Sequence, residues 1–179
     1  MLSNGLTTTG PNPAPTWMQA CGPSGRAAVP REFLSPVFFQ PAAGHAPAEL
    51  LSFVEFMSPP SGAAAVPPYL ATSAGLSCLT SHLTRAVHQA AGAVVRIGRV
   101  SATATTRTTA GQPVVYVDLT FQETVSAGPV QETVPVSETL ALFARQGALV
   151  GLYGIDLPPA DAGVYTQQLY GLVTRSHSV

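Results

Sequence analysis

Proline is distributed unevenly along the chain, and this distribution restricts the folds open to it. Residues 1–68 contain 12 of the 17 prolines. Because proline lacks an amide hydrogen and has a fixed φ, so many prolines argue against a long helix or a central strand in this part. The sequence therefore predicts an extended, proline-rich N-terminal arm over residues 1–68 and a globular domain over residues 69–179.

The predicted arm also carries most of the large aromatic side chains. Five of the seven Phe and the single Trp lie within residues 1–68. A flexible linker does not hold so much apolar surface in water, so we expect these side chains to anchor the arm on its own domain or on a neighbouring subunit. Residues 50–57 are predicted to form a strand. The candidate partner contacts are Trp17, Phe33, Phe38 and Phe39.

The pattern of apolar residues in the second part predicts an α+β domain of mainly antiparallel β-structure, with one main helix packed on a sheet. Apolar side chains recur every three or four positions over residues 69–91, which is typical of an amphipathic helix. Alternation over residues 93–108 and 113–124, around a turn that contains Gly111, indicates a long hairpin. Further expectations are an edge strand over 130–136, a short helix over 137–146, and strands over 149–157 and 164–174.

Charged residues are sparse. Only 9% of the residues are charged, all eight cations are Arg, and the net charge is −1. A nucleic-acid partner is not expected, because there is no surplus of cations to displace counterions from phosphates. No apolar run reaches the roughly 18–20 residues of a membrane helix, and the first residues do not resemble a secretory signal. A nearly neutral monomer has little repulsion between copies, which favours self-association.

Two cysteines and one helix face are the main candidates for chemistry. The 57-residue separation of Cys21 and Cys78 favours free thiols in a reducing compartment, with a disulfide as the alternative. Cys78, His82 and Arg85 share one face of the predicted helix. A thiolate beside two cations is a candidate reactive site. The favoured interpretation is nevertheless a half-buried helix face, and no third ligand for zinc is present.

Acidic residues provide no second site. Glu123, Glu132 and Glu138 lie close to turns and are expected to be solvated. No catalytic, cofactor-binding or metal-binding residue is predicted from the sequence.

The segment SAGLSCLTSHL around Cys78, followed by two long strands, resembles the osmotically inducible and organic-hydroperoxide-resistance peroxidase family. The segment over residues 24–30 is similar to the early arginine region of that family. This resemblance implies that Cys78 is the peroxidatic thiol and Arg26 its activating cation. The family's resolving cysteine in a later helix has no counterpart after Cys78. The layout also resembles hot-dog thioesterases, for which Glu55 is the carboxylate nearest to the helix start.

Three functions remain open. We favour a non-catalytic assembly subunit of a homo- or hetero-oligomeric particle, self-associating through its arm and its open sheet edges. The most specific form is a virion-type shell, tube or connector component from a GC-rich genome, and the absence of Lys is typical of GC-rich coding. The expected partners are copies of itself or other assembly proteins, in a virion or a cytoplasmic assembly. The alternatives are a small peroxidase-like or hot-dog-type enzyme and a monomeric protein-binding adaptor.

Overall fold

The computed structural model describes residues 8–9, 21, 28–35, 37–40, 48–91 and 94–175. These residues form mainly antiparallel β-structure with three helices, so the predicted α+β class is confirmed. The elements are, in chain order, β1 (Thr8–Thr9), β2 (Ala28–Leu34), β3 (Val37–Gln40), β4 (Ala48–Ser58), α1 (Ser61–Leu70), α2 (Ser73–Ala91), β5 (Val95–Ile97), β6 (Ser101–Thr109), β7 (Gln112–Ala127), β8 (Val130–Arg145), β9 (Ala148–Ile155) and α3 (Pro159–Arg175).

The strands join in one antiparallel sheet. Its order is β1-β3-β4-β9-β8-β7-β5, with β2 paired beside β3 along β4 and β6 paired beside β5 along β7. β4 is therefore a central strand, which confirms the strand predicted at residues 50–57. Residues 48–68, which the proline content assigns to the arm, form β4 and α1. They belong to the same sheet and core as the strands that follow.

Each face of the sheet carries its own core. On one face, α1 and α2 pack against strand residues that include Phe53, Leu142 and Leu149. On the other face, α3 packs against residues that include Phe143 and Leu152. The middle strands are therefore buried on both sides, which explains why β9 is almost continuously apolar.

The predicted main helix begins later than expected, at Ser73. A separate ten-residue helix, α1, precedes it and contains Pro67 and Pro68 in its last turn. The Thr72 hydroxyl donates to the Tyr69 carbonyl at 2.6 Å and accepts the Gly75 N–H at 3.1 Å. Thr72 thus caps the start of α2 and separates the two helices. The prolines prevent a longer helix but permit a short one.

Two element predictions near the C-terminus are wrong. The helix expected over residues 137–146 is the second half of β8, and the strand expected over 164–174 lies in α3. Residues 138–143 are buried on both faces of the sheet, so the polar alternation that identifies a strand is missing. In the second segment, β-branched and aromatic residues suggest a strand. Packing against the sheet at Tyr165, Leu169 and Val173, spaced four apart, instead selects a helix.

The predicted hairpin is confirmed as β6 and β7. Its two turn residues, Ala110 and Gly111, both have positive φ, at 49° and 80°. This is the geometry of the two-residue turns that match the twist of a hairpin, and Gly111 adopts it without steric cost. The preceding stretch is divided into β5 and β6, which pair with successive parts of β7.

Gly151 allows a fully buried aromatic side chain of the core to lie across β9. Phe53 of β4 is paired directly with Gly151, and a Cβ at residue 151 would overlap its ring. We expect Gly151→Ala to lower the free energy of unfolding by about 1–3 kcal/mol, because the buried ring has to move. Urea denaturation measures this loss.

The matched control for this substitution is Gly163→Ala in α3. A Cβ at Gly163 meets no atom within 4 Å, so the same change is expected to raise stability by up to about 1 kcal/mol. Equal stability of Gly151→Ala and the unsubstituted protein would contradict the close packing of Phe53 on β9.

Candidate functional site

The prediction of free thiols is wrong, because Cys21 and Cys78 form a disulfide. Cys21 is only 1% exposed and belongs to the core beneath α1 and α2. Nothing in the local sequence around either cysteine specifies this pairing. It depends on the N-terminal part of the chain returning to α2, which places two residues 57 positions apart in contact.

The disulfide changes the chemistry expected at the shared face of α2. Cys78 is not a thiolate in this state. Burial lowers the pKa of His82, and the positive charge of Arg85 lowers it further. A neutral imidazole beside an oxidised cysteine is not the thiolate and imidazolium pair expected of an activated nucleophile. The three residues share a helix face as predicted, but that arrangement does not form a reactive thiol site.

Glu138 is not solvated as predicted but buried. It is 7% exposed and lies in phase with Leu140 and Leu142, on the face of β8 that carries the α1 and α2 core. Burial raises the pKa of the Glu138 carboxyl to about 7. A hydrogen bond from Tyr153 lowers the pKa in part, and the negative charges of Asp156 and Glu123 raise it. The phase with two buried leucines is the sequence signal that could have revealed this site.

Asp156 completes the ladder between β8 and β9. It has a positive φ of 52°, and its N–H donates to the Ser137 carbonyl at 2.7 Å. Its Oδ1 accepts the Ser137 N–H at 2.9 Å and the Ser137 hydroxyl at 3.2 Å. The carboxylate therefore accepts the Ser137 N–H in place of the Asp156 backbone carbonyl, which would be the acceptor if β9 continued in register. Its role is to end the pairing of these strands at Ser137.

The carboxyl groups near Tyr153 do not form a metal centre. Burial raises the pKa of Glu49, and the charge of Asp156 raises it further. Among the residues that the structure describes, no three His, Cys, Asp or Glu side chains are placed to hold a metal ion. An open cleft of about 460 Å³ borders Asp156 and is also lined by Arg99 and Gln122. The hydroxyl of Ser137, at its edge, donates to the Asp156 oxygen that also accepts the Ser137 N–H, so this carboxylate serves the end of the strand pair.

The ends of β7 and β8 extend beyond the sheet core, and we call residues 121–127 and 130–136 the distal hairpin. The strand register of β8 with β9 runs to Glu138, and Ser137 is bonded to Asp156 just beyond it. In the described residues, the strand over 130–136 therefore pairs with β7 alone. The predicted edge strand is thus present, as the first half of β8. Val130 in the distal hairpin is 63% exposed, and Val125 and Val134 are also exposed.

On the side of β8 away from β7, the direction of the N–H and C=O groups of residues 130–136 follows from Ser137. The N–H and C=O of Ser137 face Asp156, away from β7. Because these directions alternate along a strand, the backbone groups of Pro135, Thr133 and Gln131 face the same way. Thr133 and Gln131 therefore present amide hydrogens on the open edge. Pro135 presents only a carbonyl.

Of the four predicted aromatic contacts, the structure describes the side chains of Phe33 and Phe38, and these have different surroundings. Phe33 is 58% exposed and lies edge-to-face against Phe56, with ring centroids 6.2 Å apart. Phe38 is half-buried and packs against the core beneath α3. Phe39 lies in β3, with its side chain outside the described part, and Trp17 lies outside the described residues. A role for these side chains in partner contact stays a prediction.

Comparison of the chain with protein-family models, curated proteins and solved structures gives no match. In the described part of the chain, no helix is long and apolar enough to cross a membrane.

Proposed function

We propose that the protein is a non-catalytic assembly subunit of an oligomeric particle, with a virion-type shell, tube or connector as the specific form. The distal hairpin is the observation that carries this proposal. It combines exposed valines with a strand edge with which no other described residue pairs. Between Arg107 and Arg145 the sequence has no cation, so the edge has none of the lysines with which proteins commonly block strand addition, and Glu132 is the one charged residue of residues 130–136.

The chemistry of the candidate sites supports the same choice over an enzyme. The nucleophile of a peroxidase-like enzyme would be Cys78, and its sulfur is held in the disulfide. The carboxylate considered for a hot-dog-type enzyme, Glu55, is only 3% exposed within β4, which leaves it closed to a substrate. Disulfides persist mainly in oxidising surroundings, so the bond favours a particle surface or an extracytoplasmic assembly over the cytoplasm. The partners proposed are copies of this chain or other assembly proteins.

Native mass, measured by size-exclusion chromatography with light scattering, tests the proposal. We expect the full chain to have a native mass of at least twice the protomer mass. Val130→Thr is expected to raise the concentration at which the assembly dissociates by about tenfold, because a buried valine contributes on the order of 1.5 kcal/mol.

The matched control is Val164→Thr on α3, where the valine is 52% exposed but lies on a helix and not on a strand edge. Its native mass should equal that of the unsubstituted protein. A monomer at every concentration tested would overturn the proposal in favour of the adaptor. Equal effects of the two substitutions would remove the distal hairpin as the contact.

A further inference from the structure

We propose that two copies join their distal hairpins edge to edge, with residues 130–136 of the two β8 strands antiparallel and centred on Thr133. This inference rests on the proposed function, because it names the partner and the contact by which the subunit associates. The partner is a second copy of this chain, and the two sheets continue into each other across a twofold axis.

The backbone groups on the open edge fit this arrangement. With Thr133 opposite the partner's Thr133, each N–H donates to the other carbonyl, which forms two hydrogen bonds. Gln131 then lies opposite the partner's Pro135, and its N–H donates to that proline carbonyl. The symmetric bond brings the total to four. Pairing ends at Val136, because Asp156 occupies the position beside Ser137.

Pro135 and Glu132 distinguish this register from its neighbours. A register centred on Val134 places Thr133 opposite the partner's Pro135, and the missing proline N–H reduces the total to two bonds. A register centred on Glu132 keeps four bonds but sets the two Glu132 carboxylates directly opposite each other, which is unfavourable. In the register centred on Thr133, each Glu132 lies opposite the partner's Val134 instead.

Val130, the most exposed valine of the distal hairpin, also gains a valine partner in the proposed register. Val130 lies opposite the partner's Val136, and the symmetric pair forms at the other end. Paired residues of β8 with even numbers share the face of the sheet that carries the α1 and α2 core. The two pairs of Val130 and Val136 therefore extend that face across the axis, on either side of the pairs of Glu132 and Val134. Cross-strand pairs of β-branched residues stabilise sheets.

Thr133→Pro tests the contact, because it removes the amide hydrogen at the centre while leaving the backbone hydrogen bonds to β7 intact. It also removes the hydrogen bond between the Thr133 and Thr124 hydroxyls, which the control below removes as well. The residues whose backbone groups face β7 are Glu132 and Val134, so the protomer is expected to fold. We expect the concentration at which the dimer dissociates to rise by about 100-fold or more. Thr133→Val is the matched control, since it keeps the N–H, and its dimer should persist. Circular dichroism checks that both variants fold.

Cysteine cross-linking measures the register independently of that variant. In the proposed pairing the two Thr133 Cα atoms lie about 5.5 Å apart, within the range of a disulfide. Thr133→Cys should therefore form a covalent dimer under mild oxidation. Gln131→Cys should not, because the two Gln131 residues lie on opposite sides of the twofold axis, each two positions from it. Their Cα atoms are then too far apart for a disulfide. Covalent dimers of Glu132→Cys in place of Thr133→Cys would overturn the register.

The possible outcomes separate this inference from the proposed function. An oligomer that survives Thr133→Pro and does not cross-link through Thr133→Cys overturns the edge contact but leaves an assembly subunit. A chain that is monomeric throughout overturns both. Loss of the dimer in Thr133→Pro, together with cross-linking of Thr133→Cys, supports both.

Discussion

Removal of the disulfide is expected to lower the free energy of unfolding by about 4 kcal/mol in the double variant Cys21→Ala/Cys78→Ala. The bond closes a loop between residues separated by 57 positions, and the entropy it removes from the unfolded chain corresponds to about that amount. Cys21 is buried in the core beneath α1 and α2, so release of this residue also removes apolar contacts. This is a large fraction of the stability of a typical domain.

Urea denaturation with and without a reducing agent measures this effect. The unsubstituted protein should lose about the same stability on reduction as it loses in the double variant. The double variant should be insensitive to the reductant, which makes it its own control. A protein whose unfolding midpoint is unchanged by reduction would contradict a structural role for the bond. Titration of thiols after denaturation should detect two per chain only when reductant has been added.

Stability is expected to fall as the pH rises from about 5 to 8, because of the buried carboxyl of Glu138. Its pKa is raised to about 7 in the folded protein, from an ordinary value of 4.5. Between these values the native state holds a proton that the unfolded state has released, so rising pH favours unfolding. The total loss is about 3 kcal/mol, complete once the pH passes the folded pKa.

Glu138→Gln should abolish this loss, because glutamine keeps an acceptor for the Tyr153 hydroxyl and does not ionise. The urea midpoint measured at several pH values between 5 and 8 gives the comparison. Glu132→Gln is the matched control, since that residue lies on the same strand but is exposed, and it should keep the slope of the unsubstituted protein. Glu49 and His82 also titrate with shifted pKa values, and their contributions are shared by both variants. Identical slopes in all three proteins would contradict a buried, protonated Glu138.

The candidate contact was only partly accessible from the sequence. The strand over residues 130–136 and its Pro135 are visible in the order of residues. Its open side depends on where β9 ends, and Asp156 fixes that end through its bonds to Ser137. The exposed pair of Phe33 and Phe56 likewise requires β2 beside β4, a contact between segments about 20 residues apart.

The sequence by itself determined those features whose causes lie within a few residues. The hairpin around Ala110 and Gly111 follows from turn geometry, and α2 follows from its period of apolar residues. Only the tertiary structure decided the pairing of Cys21 with Cys78, the central position of β4, the burial of Glu138 and the strand over residues 138–145. Each depends on contacts between distant segments. When both sides of a strand are buried, the polar alternation by which a local pattern reveals its conformation is absent.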